Sequence, residues 1–236
     1  MRRKAYMKMN RTNPKLHSQL GFSLAETIVV VAMLLLILGV ATDGLIQMQK
    51  RASADTGKVD TTQMARQFLD QIVNDLHQSG YPGLKLYDPN QPNAPTLASP
   101  NVAVGLIAVD ANAAEFEADV DGSGFVSHVW LQLIDSAGNP ISNASTCPCT
   151  LQRGTLYKQN VGANVPYYTE VNNVTNINIF TAYAFDGTQI TLPAVAGDLP
   201  RIKNIKITVN LQSTTPEPDG TFSTITMASE AKISNN

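Results

Sequence analysis

From Phe22 to Ala41 every position is apolar except Ser23, Glu26, Thr27 and Gly39. About 20 such residues suffice for a helix to cross a bilayer, so the stretch predicts a membrane-length helix over 22–42. The helical pattern weakens around Gly44 and Gly57 and then returns. Met64, Phe68, Leu69, Ile72, Val73 and Leu76 share one helical face, which predicts an amphipathic helix over 43–80. Gly80 and Pro82 are its stop signals. Residues 81–101 hold Pro82, Pro89, Pro92, Pro95 and Pro100 and read as a connecting loop.

Beyond Val102 the period changes to two. Val129, Leu131 and Leu133 alternate with His128, Trp130 and Gln132, and Ile177, Ile179, Thr181 and Tyr183 form a second alternating run. Ile205, Ile207, Val209 and Leu211 alternate with Lys206, Thr208, Asn210 and Gln212, and Ile225, Met227, Ala231 and Ile233 predict a last strand. One apolar face per strand predicts a mostly antiparallel sheet covered on one side. The amphipathic helix around Phe68 and Ile72 is its expected cover. The fold class is therefore α+β, with a β-rich region over 102–236.

Charge adds a direction to this picture. Formal net charge is −2. Residues 1–21 carry Arg2, Arg3, Lys4, Lys8, Arg11 and Lys15 and no acid, which leaves 11 basic against 19 acidic residues in the rest. Cations ahead of an apolar span place that end in the cytoplasm and the remainder outside. An acidic body argues against bulk binding of nucleic acid, whose phosphates need a positive field.

Two features of the apolar run point to its use. Gly21, the small residue that suits a cut, precedes the run, whereas an ordinary secretory signal is cut after it. Glu26 lies inside the run, where a carboxylate costs about 2.5–3.5 kcal/mol on insertion scales and needs a partner. A cut after Gly21 would free an amine on Phe22, one helical turn from Glu26, and a neighbouring copy's carboxylate could pair with it.

The series Gly21-Phe22-Ser23-Leu24-Ala25-Glu26, with the apolar run behind it, resembles the processing site of type IV prepilins and type II secretion pseudopilins. The resemblance implies that a prepilin peptidase cleaves between Gly21 and Phe22 and methylates Phe22. It also implies that Glu26 governs assembly with other pilin or pseudopilin subunits, and that a long N-terminal helix packs on a sheet. Major pilins often carry a proline near the end of the membrane half; here Asp43 and Gly44 stand there. Leu69-Asp70-Gln71-Ile72-Val73-Asn74-Asp75-Leu76 with Ser79-Gly80-Tyr81, and Phe116–Asp119 ahead of Gly122, are similar to minor pilins of the PilW and GspJ kind. Two other readings stand beside it: a conventional signal cut after Gly39-Val40-Ala41, and a plain signal anchor.

Other constellations carry less. Cys147 and Cys149 are the only cysteines; a disulfide, a free pair and a metal site are the open readings, and two ligands alone cannot close a tetrahedral zinc site. Asp119, Asp121 and Ser123 occupy the first alternate positions of a calcium loop with Gly124 sixth. Trp130 stands where that loop needs a bidentate Glu, and a hairpin turn is the competing reading. His77 and His128 fit no catalytic motif. Arg201, Lys203 and Lys206, with Tyr167 and Tyr168, read as a solvated strand edge rather than a nucleic-acid surface.

The expected protein is thus no enzyme and takes no cofactor. It is a minor pilin or pseudopilin held in the bacterial inner membrane by one span, with its head outside. The alternative is a signal-anchored binding or adhesion domain that enters no filament.

Overall fold

The structure, a computed structural model, describes residues 23–141, 147–160 and 162–234. It is α+β, with one long N-terminal helix and a large antiparallel sheet. Two compact units divide the chain, residues 1–47 and 48–236. The helix, α1 (Leu24–His77), supplies residues to both.

Within the first unit the described residues are helical from Leu24, and every one of them is exposed. The sequence marked Asp43 and Gly44 as the change of character, yet the helix continues through both. A glycine costs a helix only about 1 kcal/mol against alanine, which the bonds on either side absorb. The Thr42 hydroxyl donates back to the carbonyls of Leu38 (2.9 Å) and Gly39 (2.8 Å), so it leaves no unpaired donor in the apolar segment.

In the second unit α1 turns one face to the core: Ala54, Gly57, Thr61, Ala65, Phe68, Leu69, Ile72, Asp75 and Leu76 are buried. The expected Met64 is instead 40% exposed, and Ala65 holds the buried place. Ala65 continues the stripe of Gly57 and Thr61 at intervals of four, and at Gly57 the approach is close. A Cβ on Gly57 would lie 2.9 Å from Thr214 Oγ1 and 3.0 Å from Thr215 Oγ1, so small residues line the stripe there. The Thr61 hydroxyl is satisfied by the Gly57 carbonyl at 2.7 Å. Gly80, at φ 78°, closes the helix in the left-handed region that glycine tolerates, and Pro82 follows.

Among the described residues nine strands form the sheet: β1 (Leu106–Val109), β2 (Ala113–Ala118), β3 (Ser127–Ile134), β4 (Cys149–Tyr157), β5 (Tyr167–Val174), β6 (Phe180–Ala184), β7 (Gln189–Ile190), β8 (Ile202–Gln212) and β9 (Thr224–Lys232). β1 to β5 make an antiparallel meander, and β9, β8, β6 and β7 make a second group. The groups meet at one register pair, Val174 with Leu211. Beside it the Asn176 side chain stands in for a strand, donating to Thr208 O (2.8 Å) and accepting from Asn210 N–H (2.7 Å).

β3 and β8 bury the faces expected of them, from Val129 to Leu133 and from Ile205 to Leu211. β6 is shifted in phase. Phe180, Ala182 and Ala184 point inward, and Thr181 and Tyr183 lie on the opposite face. The chain is irregular just before it, where the N–H groups of Ile179 and Phe180 both donate to Ala111 O. An odd step there moves the inward set by one residue. One core joins Phe68, Leu69, Ile72 and Leu76 of α1 to Phe116, Leu131, Leu151, Ile205 and Leu211 of the sheet.

The proline-rich segment carries one 3-10 turn, Leu84–Leu86, and is tied down by a buried cation. Lys158 Nζ donates to Leu97 O (2.6 Å), Val102 O (2.9 Å) and Glu117 Oε2 (2.7 Å), which uses all three ammonium protons.

Candidate functional site

Gly21 and Phe22, the expected cleavage pair, lie outside the described residues. Glu26 lies within them, in the first turn of α1. The Ser23 N–H donates to Glu26 Oε2 at 3.0 Å, and the Glu26 N–H donates to Ser23 Oγ at 3.2 Å. This reciprocal pair is a capping box, which satisfies two amides that a helix start leaves open. The carboxylate therefore has a local partner, and the spacing Ser-x-x-Glu carries that signal in the sequence.

Cys147 and Cys149 are joined as a disulfide, and Cys149 is buried at the start of β4. The run 119–124 is the turn of the β2–β3 hairpin. The Gly124 N–H donates to Asp119 Oδ2 (3.0 Å) and the Ser123 N–H to Asp121 Oδ1 (3.1 Å). Tyr157 Oη donates to Asp121 Oδ2 at 2.8 Å. Hydrogen bonds from Ser123 and Tyr157 lower the Asp121 pKa to about 2. Among the described residues no group of three or more His, Cys, Asp or Glu is gathered for a metal. Trp130, far from ligand chemistry, stacks on the buried His128 ring at a centroid distance of 3.9 Å. His77 is the exposed last residue of α1. The basic residues are spread out: Arg201, in the 3-10 turn before β8, pairs with Asp198 at 2.8 Å, and Lys206, within β8, lies opposite Glu230 of β9.

The second unit holds a cleft of about 750 Å³ between the end of α1 and the strands β3 and β4. Gln71, Asn74 and Gln78 recur on one line of the helix and form one wall, and Ser127, Thr155 and Tyr157 form the other. Ser127 and Tyr157 are register partners, which brings two distant segments to one end of the sheet. On the floor, Arg153 Nε (2.9 Å) and Nη2 (2.7 Å) both reach Asp75 Oδ2. Burial raises the Asp75 pKa, and the guanidinium attraction only partly opposes it. Glu170 is raised by the same desolvation, with Arg153 opposing and Asp75 adding. Neither Asp75 nor Arg153 was singled out by sequence pattern, although an acid inside a buried stripe, next to Leu76, is the signal that would have found it.

No family model, curated protein or solved structure matches the chain.

Proposed function

We propose that this chain is a prepilin-like structural subunit, a minor pilin or minor pseudopilin, cut between Gly21 and Phe22 and held in a bacterial inner membrane before it joins a filament. The observation that carries the proposal is the division of labour along α1. Its N-terminal part holds an 18-residue stretch of mean hydropathy 2.6, none of it buried and long enough to cross a membrane, whereas the same helix from Ala54 onward presents a packed stripe to the core. An exposed apolar surface of that length needs lipid or other helices around it. With the Gly21-Phe22 pair before it and Glu26 five residues past Gly21, lateral assembly of matured helices is the reading that uses every feature. The head outside the membrane, with its Cys147–Cys149 disulfide, suits an oxidising compartment.

The test is the N-terminus of the protein recovered from membranes. N-methylated Phe22 is expected, and Gly21→Val should abolish the cut; a start at Met1 or Thr42 sinks the proposal.

The capping box favours a second reading, a plain signal anchor in which Glu26 serves only to start the helix. The mature N-terminus and filament entry of the wild type separate the two readings, and Glu26→Gln then assigns the carboxylate, because glutamine keeps the box and loses the charge. Loss of filament entry in Glu26→Gln supports pairing with a neighbour's Phe22 amine. Normal entry in Glu26→Gln assigns the carboxylate to the cap.

A further inference from the structure

We propose that the cleft at the end of α1 binds a neutral saccharide. The inference rests on the second unit alone and holds whether or not α1 enters a filament.

The cleft's volume, about 750 Å³, falls within the range of small-molecule sites, about 300–1,000 Å³. Its walls decide what fits. Among the described residues the side chains of Gln71, Asn74, Gln78 and Thr155 form no hydrogen bond to protein, so each keeps its donors and acceptors for a ligand. The floor is set rather than loose, because both Arg153 bonds fall on Oδ2 of Asp75.

Charge narrows the class. Arg153 is paired with Asp75, and among the described residues no other cation lines the cleft, so a phosphate or carboxylate would meet no free positive charge. Asp121 stands at the rim as a carboxylate, but one oxygen takes the Ser123 N–H and the other the Tyr157 hydroxyl, which leaves a metal ion little to chelate. A purely apolar ligand would strand the amides without partners, which is costly. A lining of free side-chain amides and hydroxyls, with a floor ion pair and a rim carboxylate that can itself accept from a hydroxyl, suits a neutral molecule dense in hydroxyls with one apolar flank. Tyr157 supplies the matching surface: it is 37% exposed and braced edge-to-face by Phe125 at 6.4 Å. An aromatic ring with a polar rim suits the C–H face and hydroxyl edge of a sugar ring.

The experiment uses the full chain in a detergent without a sugar headgroup, applied to an array of neutral, sialylated and sulfated oligosaccharides. Binding to at least one neutral oligosaccharide is expected. Asn74→Ala with Gln78→Ala, two positions outside the core, should weaken it by about tenfold or more with no change in thermal midpoint. Thr155→Val, on the opposite wall, should weaken it independently. No neutral oligosaccharide bound, binding confined to the sialylated or sulfated members, or neutral binding unchanged in the double variant would each overturn the proposal.

Discussion

Take away Arg153 and the Asp75 carboxylate is left on the floor of the cleft with nothing to answer its charge. Only 9% of the Asp75 side chain and 14% of the Arg153 side chain reach solvent, so most of the charge that Arg153 answers is out of contact with water. Stranding a buried charge in this way costs about 3–5 kcal/mol, whereas replacing both partners with apolar residues of similar volume is often neutral or stabilising. The raised Asp75 pKa says which effect governs here: desolvation outweighs the attraction to Arg153. Arg153→Met should therefore destabilise the head by about 3–5 kcal/mol, and Asp75→Leu with Arg153→Met should recover most of that loss. The pH dependence follows from the sign. A carboxyl whose folded pKa is raised contributes stability that is full below its ordinary range and is lost as pH rises through the raised value. Removing Arg153 raises it further, so the gap between wild type and Arg153→Met should widen from mild acid to mild alkali. Trp130 is the single tryptophan and reports unfolding by its fluorescence. A double variant as unstable as Arg153→Met, or a gap that narrows with rising pH, would refute the reasoning.

Two further substitutions test close approaches. Gly57→Leu must displace Thr214 and Thr215, which a Cβ alone would meet at 2.9–3.0 Å, and should cost about 1–3 kcal/mol in thermal unfolding. Gly154→Ala would put a methyl 2.6 Å from Val165 and 2.8 Å from the Tyr167 ring; a fall in midpoint equivalent to about 1–3 kcal/mol is expected, and an unchanged midpoint would show that the ring gives way freely.

How much of this could be read from the chain depended on whether a side chain's fate was local. β8 was legible because Ile205, Ile207, Val209 and Leu211 all face one core, with strands beside them on both flanks. β6 was not, because Ile177 and Ile179 suggest one phase and Asn176 breaks the ladder before the strand begins. On α1, Phe68 to Leu76 announced the packed face, but its continuation through Ala54, Gly57 and Ala65 is a matter of tight approach, which small residues do not advertise by hydrophobicity. The hairpin at Gly122 followed from its Asp-Gly turn. For the cleft, the helical wall is visible as polar residues at intervals of three and four, Gln71, Asn74 and Gln78. The facing wall depends on the register that sets Ser127 beside Tyr157 and Arg153 beneath the helix, and no local pattern contains that register.

The sparse pairing between the two groups of strands, around Val174 and Leu211, gives the second unit a direction of yielding. β8 and β9 are matched over nine residues, from Asn204 with Lys232 to Gln212 with Thr224, so a pull along those strands loads many bonds together in shear. A pull across the strands meets fewer bonds, the Val174–Leu211 rung, the Thr175 N–H on Asn210 O and the Asn176 side chain at the β5–β8 boundary, with the Ile179 and Phe180 N–H groups on Ala111 O and the Ala194 N–H on Val109 O farther along, and these break in turn, as the teeth of a zip do. What holds that line is the grease beneath it, Val171, Val174, Val209 and Leu211 in one core, and such contacts stretch little before they let go. Under tension the head would thus open as two plates along this crease, each still folded, long before either plate unravels.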